Sequence, residues 1–265
     1  MINKLFYGTD PLQFGELSIP EGSGPYPIVI LIHGGFWRAA YDLTLMTDLA
    51  KDLARQGIAA WNIEYRRVGN AGGGWPGTLL DVAQATDYLQ TIATGYQLDT
   101  SQVVAVGHSA GGHLAFWLVG RSKIPLQSML ASATTPLRLT GAISLAGVVD
   151  LAQSWRLNLG RDAANELLGG GFDEVPERYA AASPAALLPI GVPQVLIHGT
   201  EDDRVPLIVS QDYAKKALAL GDPVTLIELP GADHFVVIDP TSAAWHTTIV
   251  EIRRLYSQTH NGSNQ

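Results

Sequence analysis

The chain contains no cysteine. That absence excludes a disulfide framework, thiolate-ligated zinc and a cysteine nucleophile. It fits the reducing cytoplasm, which is the expected location. Runs of lysine or arginine are missing too. With 17 Lys+Arg against 25 Asp+Glu, the formal net charge is -8. There is no basic stripe to hold nucleic acid or an anionic membrane, so neither is an expected partner. No apolar run approaches the roughly 20 residues of a membrane span. The opening MINKLFYGTD lacks the apolar core of a signal peptide. Charged residues make up only 16% of the chain, against 46% hydrophobic. That balance supplies a substantial core and is not a disordered composition. A length of 265 residues admits one large α/β domain or two small ones.

What the chain does contain is alternation. Residues 14–19 alternate apolar and polar, as an edge strand does. PIVILIHGG is a continuous apolar run ending in glycines, the pattern of a strand buried on both faces of a parallel sheet. DLTLMTDLAKDLARQG has helical spacing, with Gly57 as its C-terminal stop. IAAWNIEYR reads as the next strand and PGTLLDVAQATDYLQTIA as a helix with Pro near its start. QVVAVGHSAGGHLAFWLVG reads as strand, sharp turn and helix. GAISLAGVVDL, VPQVLIHGT and PVTLIELPG are further strands; LIVSQDYAKKALALG and SAAWHTTIVEIRRLYSQ are further helices. Alternating strands and helices imply right-handed crossovers and a mostly parallel sheet covered on both faces. The rhythm spans residues 1–257 and predicts one domain, with 258–265 as a frayed polar tail. Residues 150–190 break it, separating two strands by about 40 residues, more than a crossover needs. They are expected to form short helices in a partial cap.

Gly107-His108-Ser109-Ala110-Gly111 follows an apolar strand and precedes a helix. A strand-to-helix turn this tight strains Ser109 and projects its hydroxyl above the sheet at a helix N-terminus. A serine hydroxyl is a poor nucleophile unless a base takes its proton and a third group orients that base. Acyl transfer also needs donors for the oxyanion. His33-Gly34-Gly35-Phe36-Trp37 ends the first buried strand. Its backbone N–H groups at Gly35 and Phe36, with that of Ala110, are the candidate oxyanion hole; Gly34 supplies the turn and is an alternative donor.

Seven histidines are present. The chain order serine, acid, histidine removes His33, His108, His113 and His198 as the base. His33 reads as a brace for its loop and His113 as a buried histidine on the helix after Ser109. His246 falls within a helix and His260 in the tail. His234, in the loop GADHF after a strand, is the base. The acid comes from the loop HGTEDDRVP, where Asp202 and Asp203 are adjacent, or from Asp150 after the preceding strand.

HGGFW, GHSAGG, HGTEDDRVP and GADHF occur in that order. Over residues 14–257 the chain resembles the α/β-hydrolase superfamily. HGGFW with EYRR and GGGWPGT is similar to the small carboxylesterase and kynurenine formamidase (arylformamidase) branch. It departs from the hormone-sensitive-lipase pattern, with Phe36 where a third glycine is usual. The resemblance implies an α/β-hydrolase fold: a mostly parallel central sheet, helices on both faces and a small helical cap near 150–190. It implies Asp202 as the acid, with Asp203 a spacer, and an acyl-enzyme mechanism needing no metal and no organic cofactor. The activity expected is hydrolysis of short-chain or aryl carboxylic esters by a monomer or small homo-oligomer acting on a small soluble substrate. The alternatives are an arylformamidase acting on N-formylkynurenine-like amides and a non-catalytic binding protein on the same scaffold. Trp37, Trp75, Trp155 and Phe235 lie near predicted strand ends and are candidate pocket residues.

Overall fold

The computed structural model describes residues 2–131 and 135–261. Eight strands form one sheet: β1 (Ile2–Phe6), β2 (Phe14–Ser18), β3 (Tyr26–Ile32), β4 (Ala59–Ile63), β5 (Leu98–His108), β6 (Gly141–Leu145), β7 (Gln194–Gly199) and β8 (Val224–Leu229). Their spatial order is β1-β2-β4-β3-β5-β6-β7-β8. β3 through β8 pair in parallel, while β1–β2 and β2–β4 pair antiparallel. Residues 14–18 are therefore not at the edge. They pair on both sides, and Ile2–Phe6, whose side chains alternate exposed and half-buried, takes the edge position instead.

The period of two in each strand divides the core. Along β3, Ile28, Ile30 and Ile32 face one layer with Trp61, Leu114 and Trp117. Val29 and Leu31 face the other with Leu49, Leu53, Trp245 and Ile252. Each of these side chains gains about 1.5–3 kcal/mol from leaving water. Helices α1 (Thr47–Arg55), α2 (Gly77–Tyr96) and α3 (Ala110–Gly120) follow β3, β4 and β5. Gly57, just past α1, has a φ of +83°, a left-handed value that favours glycine, so the chain turns there into β4.

Between β6 and β7 the chain forms four short helices: α4 (Leu151–Arg156), α5 (Ala163–Leu168), α6 (Pro176–Ala182) and α7 (Pro184–Leu187). This is the segment whose length broke the sequence rhythm. Helices α8 (Ile208–Ala219) and α9 (Ala243–Asn261) complete the two layers. Residues 258–261 of the expected tail continue α9, and 262–265 lie outside the described residues. No helix among the described residues is long and apolar enough to cross a membrane. Because β3, β5, β7 and β8 run parallel, the loops that leave them open at the same end of the sheet, where ligands meet open α/β sheets. Those loops carry His33–Trp37, Ser109, Asp202 and His234.

Candidate active site

Ser109 joins β5 directly to α3 with φ +56° and ψ −119°. A non-glycine residue held there is strained, and strain of this kind marks a constrained site. The surrounding glycines make the turn possible by close approach. A Cβ on Gly107 would sit 1.9 Å from the Gly111 carbonyl oxygen, and one on Gly111 would sit 2.0 Å from that of Ile32. Any larger residue would push helix and strand apart. Ser109 is buried, its N–H donates to the Leu145 carbonyl at 2.8 Å, and it lines a cavity of about 110 Å³.

His234 reaches the same cavity from the loop after β8. Its Nδ1 meets Asp202 Oδ2 at 2.7 Å. Asp202 has no exposed side-chain surface. Its Oδ1 accepts from the backbone N–H groups of Arg204 and Val205, both at 2.8 Å. Its Oδ2 is also 3.2 Å from His198 Nε2. Burial alone pulls the Asp202 carboxyl upward. The His198 and His234 imidazoles facing it and the Val205 N–H outweigh that effect and hold it well below the usual carboxylate range.

The competing acids have other occupations. Asp203 is exposed and pairs with Arg204 at 3.3 Å. Asp150 caps α4, accepting the Gln153 N–H at 3.0 Å. Of the three carboxylates the sequence left open, Asp202 is the one the fold brings to His234.

His108 lies beside the pair, its ring 4.7 Å from that of His234. Its Nε2 donates to the His234 carbonyl at 2.9 Å. Burial, then the neighbouring His234, push its pKa down to about 3, so the ring is neutral. Its buried Nδ1 has no hydrogen-bond partner among the described residues.

The loop after β3 lies against Ser109. A Cβ on Gly34 would fall 2.8 Å from Ser109 Cβ, so only glycine permits this approach. Gly35 (φ +112°), Phe36 (+51°) and Trp37 (+55°) then turn through the left-handed region. Gly35 and Phe36 line the cavity with Ser109. Ala110 is the first residue of α3, and its N–H has no intrahelical acceptor.

Buried polar contacts fix this loop. Both nitrogens of His33 face acceptors: Nδ1 the Gly34 carbonyl at 2.8 Å, and Nε2 Glu64 Oε1 at 3.3 Å. Its ring stacks on Tyr65 at 4.5 Å, and the Tyr65 hydroxyl donates to the His33 carbonyl. Glu64 also accepts from the Leu43 N–H at 3.1 Å and pairs with Arg67 at 2.9 Å. Arg67 in turn donates to the Tyr41 carbonyl. The EYRR sequence therefore serves the wall of the cavity.

The candidate pocket aromatics separate. Phe235 lines the cavity. Trp37 is fully buried; its Nε1 donates to His113 Nδ1 at 3.2 Å, and His113 Nε2 donates to the Ala182 carbonyl of α6 at 2.9 Å. Burial pushes the His113 pKa down to about 4, opposed by that last hydrogen bond. Trp75 borders a separate depression of about 440 Å³, under the Arg178 guanidinium 5.8 Å from its ring. Trp155 packs on Phe172 within the insertion, ring centres 6.1 Å apart. Tyr41, Leu45 and Arg204 complete the cavity wall and were not singled out from sequence. The usable signal is proximity: Arg204 is two residues from Asp202, and Tyr41 and Leu45 sit just past HGGFW.

An open sheet crossing over in this order, with a strained serine after β5, an acid after β7 and a histidine after β8, defines an α/β-hydrolase fold. The chain belongs to the BD-FAE family, whose sequence pattern matches residues 17–217. It is 26% identical to esterase LipC of Mycobacterium tuberculosis, over 96% of this chain and 66% of LipC. In three dimensions it is similar to a truncated carbohydrate esterase from gut microbiota, with a TM-score of 0.83 and 22% identity over 96% of this chain and 95% of that one. The Thermogutta terrifontis esterase Est2 superposes with a TM-score of 0.77 and 22% identity, over 96% of this chain and 90% of Est2.

Proposed function

We propose that this protein is a serine hydrolase of short-chain or aryl carboxylic esters. The observation that carries the reading is the 2.7 Å His234–Asp202 hydrogen bond in the loop wall of the cavity that holds strained Ser109. The relationship to LipC and Est2, both named esterases, agrees with it. Est2 has also been phosphonylated by sarin, as a serine esterase would be.

In the proposed reaction Ser109 Oγ attacks the ester carbonyl while His234 takes its proton. Asp202 holds the imidazole in the tautomer with Nδ1–H and stabilises the imidazolium. Backbone N–H groups of Phe36 or Gly35, with that of Ala110, receive the oxyanion. His234 then protonates the leaving alcohol, and water attacks the acyl-enzyme by the same route in reverse. A cavity of about 110 Å³ bounded by Phe36, Tyr41, Leu45 and Phe235 suits a small acyl group. A cytoplasmic monomer or small homo-oligomer acting on a soluble small molecule completes the proposal.

The test is a fluorophosphonate probe followed by peptide mapping, with p-nitrophenyl acetate turnover in parallel. An adduct on Ser109 and turnover are expected; neither one appearing means a binding protein on this scaffold. Comparing kcat/KM for short p-nitrophenyl esters and for N-formylkynurenine then separates esterase from arylformamidase, with the ester expected to dominate.

A further inference from the structure

His198 is the last-but-one residue of β7, fully buried and outside the serine–acid–histidine set. Its hydrogen bonds determine where its proton sits. Nε2 faces two oxygens that can only accept, the Val205 carbonyl at 2.8 Å and Asp202 Oδ2 at 3.2 Å. Nε2 must therefore carry the hydrogen. Nδ1 is 2.7 Å from Ser210 Oγ, a hydroxyl on the first turn of α8 that is itself buried and able to donate. Nε2–H is thus directed to the Val205 carbonyl and lies beside Asp202 Oδ2, while the Ser210 hydroxyl holds the other side of the ring.

That places a second imidazole on the carboxylate. Asp202 Oδ2 accepts from His234 and lies 3.2 Å from His198 Nε2, and Oδ1 accepts from two backbone N–H groups. Three hydrogen bonds and the His198 N–H beside Oδ2 surround the approximately four lone-pair sites of an ionised carboxylate. Rotation of the group would break contacts on both oxygens, so it is fixed in one orientation. The donor from His198 also withdraws charge from the oxygen that His234 uses.

We propose that His198, its Nε2–H directed by the Val205 carbonyl and its ring anchored by Ser210, is a positioning residue of the triad that aims Asp202 at His234 and limits how tightly Asp202 holds the His234 proton. This rests on the serine-hydrolase reading above. His108, Asp233 and Arg204 also border the His234–Asp202 pair, and they are unchanged in the variants below.

The test compares wild type with His198→Gln and Ser210→Ala. Without the His198 donor, Oδ2 is more basic and His234 keeps its proton to higher pH. The acid limb of the kcat/KM profile, which reports the free-enzyme base, should move upward. Looser orientation should lower kcat roughly 10- to 100-fold, with KM changed less than about twofold. Ser210→Ala, which removes one hydroxyl, should move both readouts the same way by less. The His234 Nδ1 proton resonance, expected far downfield in wild type from the 2.7 Å contact with Asp202, should shift in both variants. An unmoved acid limb with kcat within about threefold of wild type in both folded variants makes His198 a core spacer and overturns the proposal. If His198→Gln does not fold, Ser210→Ala decides alone by the same criteria. If wild type turns over no ester, the hydrolase reading fails separately, and the proton resonance still decides the role of His198.

Discussion

Asp202 and Arg38 both fasten loops beside the cavity, in opposite surroundings. The Asp202 side chain is sealed from solvent, receives three hydrogen bonds and has His198 Nε2 beside it at 3.2 Å. Arg38, just past HGGFW, meets Glu166 of the insertion at 2.6 Å and the Arg161 carbonyl at 2.9 Å, with the two side chains 32% and 40% exposed. In low dielectric a satisfied polar group rigidifies and an orphaned one is costly. In water an ion pair contributes about 0–1 kcal/mol. The sheet end therefore holds its chemistry rigidly, while the insertion is fastened at this point by contacts that water readily replaces. The difference assigns reactivity to the first region and tolerance of change to the second.

Ser109→Ala should test the rigid side most severely, lowering kcat by about 10⁴- to 10⁶-fold and abolishing probe labelling while thermal stability holds. Asp202→Asn should come next, at roughly 10⁴-fold in kcat, because the amide favours the wrong His234 tautomer. Its neighbour sharpens the contrast: Asp203→Asn should stay within about threefold. A reversal within that pair, measured with p-nitrophenyl acetate, would move the acid to Asp203.

Gly34→Ala should cost roughly 10²- to 10³-fold in kcat, the scale of one lost oxyanion donor. The added Cβ collides with Ser109 and the His108 carbonyl, each at 2.8 Å.

Acid titration of stability probes the buried imidazoles. His108 and His113 have folded pKa values pushed down to about 3 and about 4, from 6.5 when unfolded. Below pH 6.5 the unfolded chain binds protons that these two rings refuse. Stability should therefore fall as pH drops from 6.5 toward 4, by up to about 1.4 kcal/mol per pH unit for each histidine. His113→Gln should remove one histidine's share of that slope in denaturant titrations at several pH values.

At the tolerant side, Arg38→Gln should change stability by less than about 1 kcal/mol and leave p-nitrophenyl acetate turnover near wild type. A loss comparable to that of Gly34→Ala would remove the distinction between the two regions.

Sequence legibility followed the same division. The buried strands were readable because burial on both faces leaves only β-branched and apolar letters, as in PIVILI. That Ser109, His234 and the HGTEDDRVP loop converge was readable because tight turns demand glycine and because chain order restricts the choice among seven histidines. Choosing Asp202 over Asp203 and Asp150 needed the resemblance, since adjacent loop residues give no hint of direction. Trp37 shows the limit most clearly. Phe36 and Trp37 both take positive φ, 51° and 55°, which non-glycine letters do not announce. Phe36 lines the cavity, and Trp37 is buried against His113. The edge strand Ile2–Phe6 escaped detection because its register partner, not its composition, makes it a strand.

Glu64, just past β4, gathers more of the cavity than its place in the chain suggests. One carboxylate takes His33 from the loop over Ser109 and the Leu43 N–H from the segment before Leu45, and through Arg67 it reaches the Tyr41 carbonyl. The aperture is in effect pinned from behind, by a residue beyond β4 that lies outside the Ser109, Asp202 and His234 set. Regrafting the loops of this pocket onto a relative would carry the wall faithfully only if that single pin came with them.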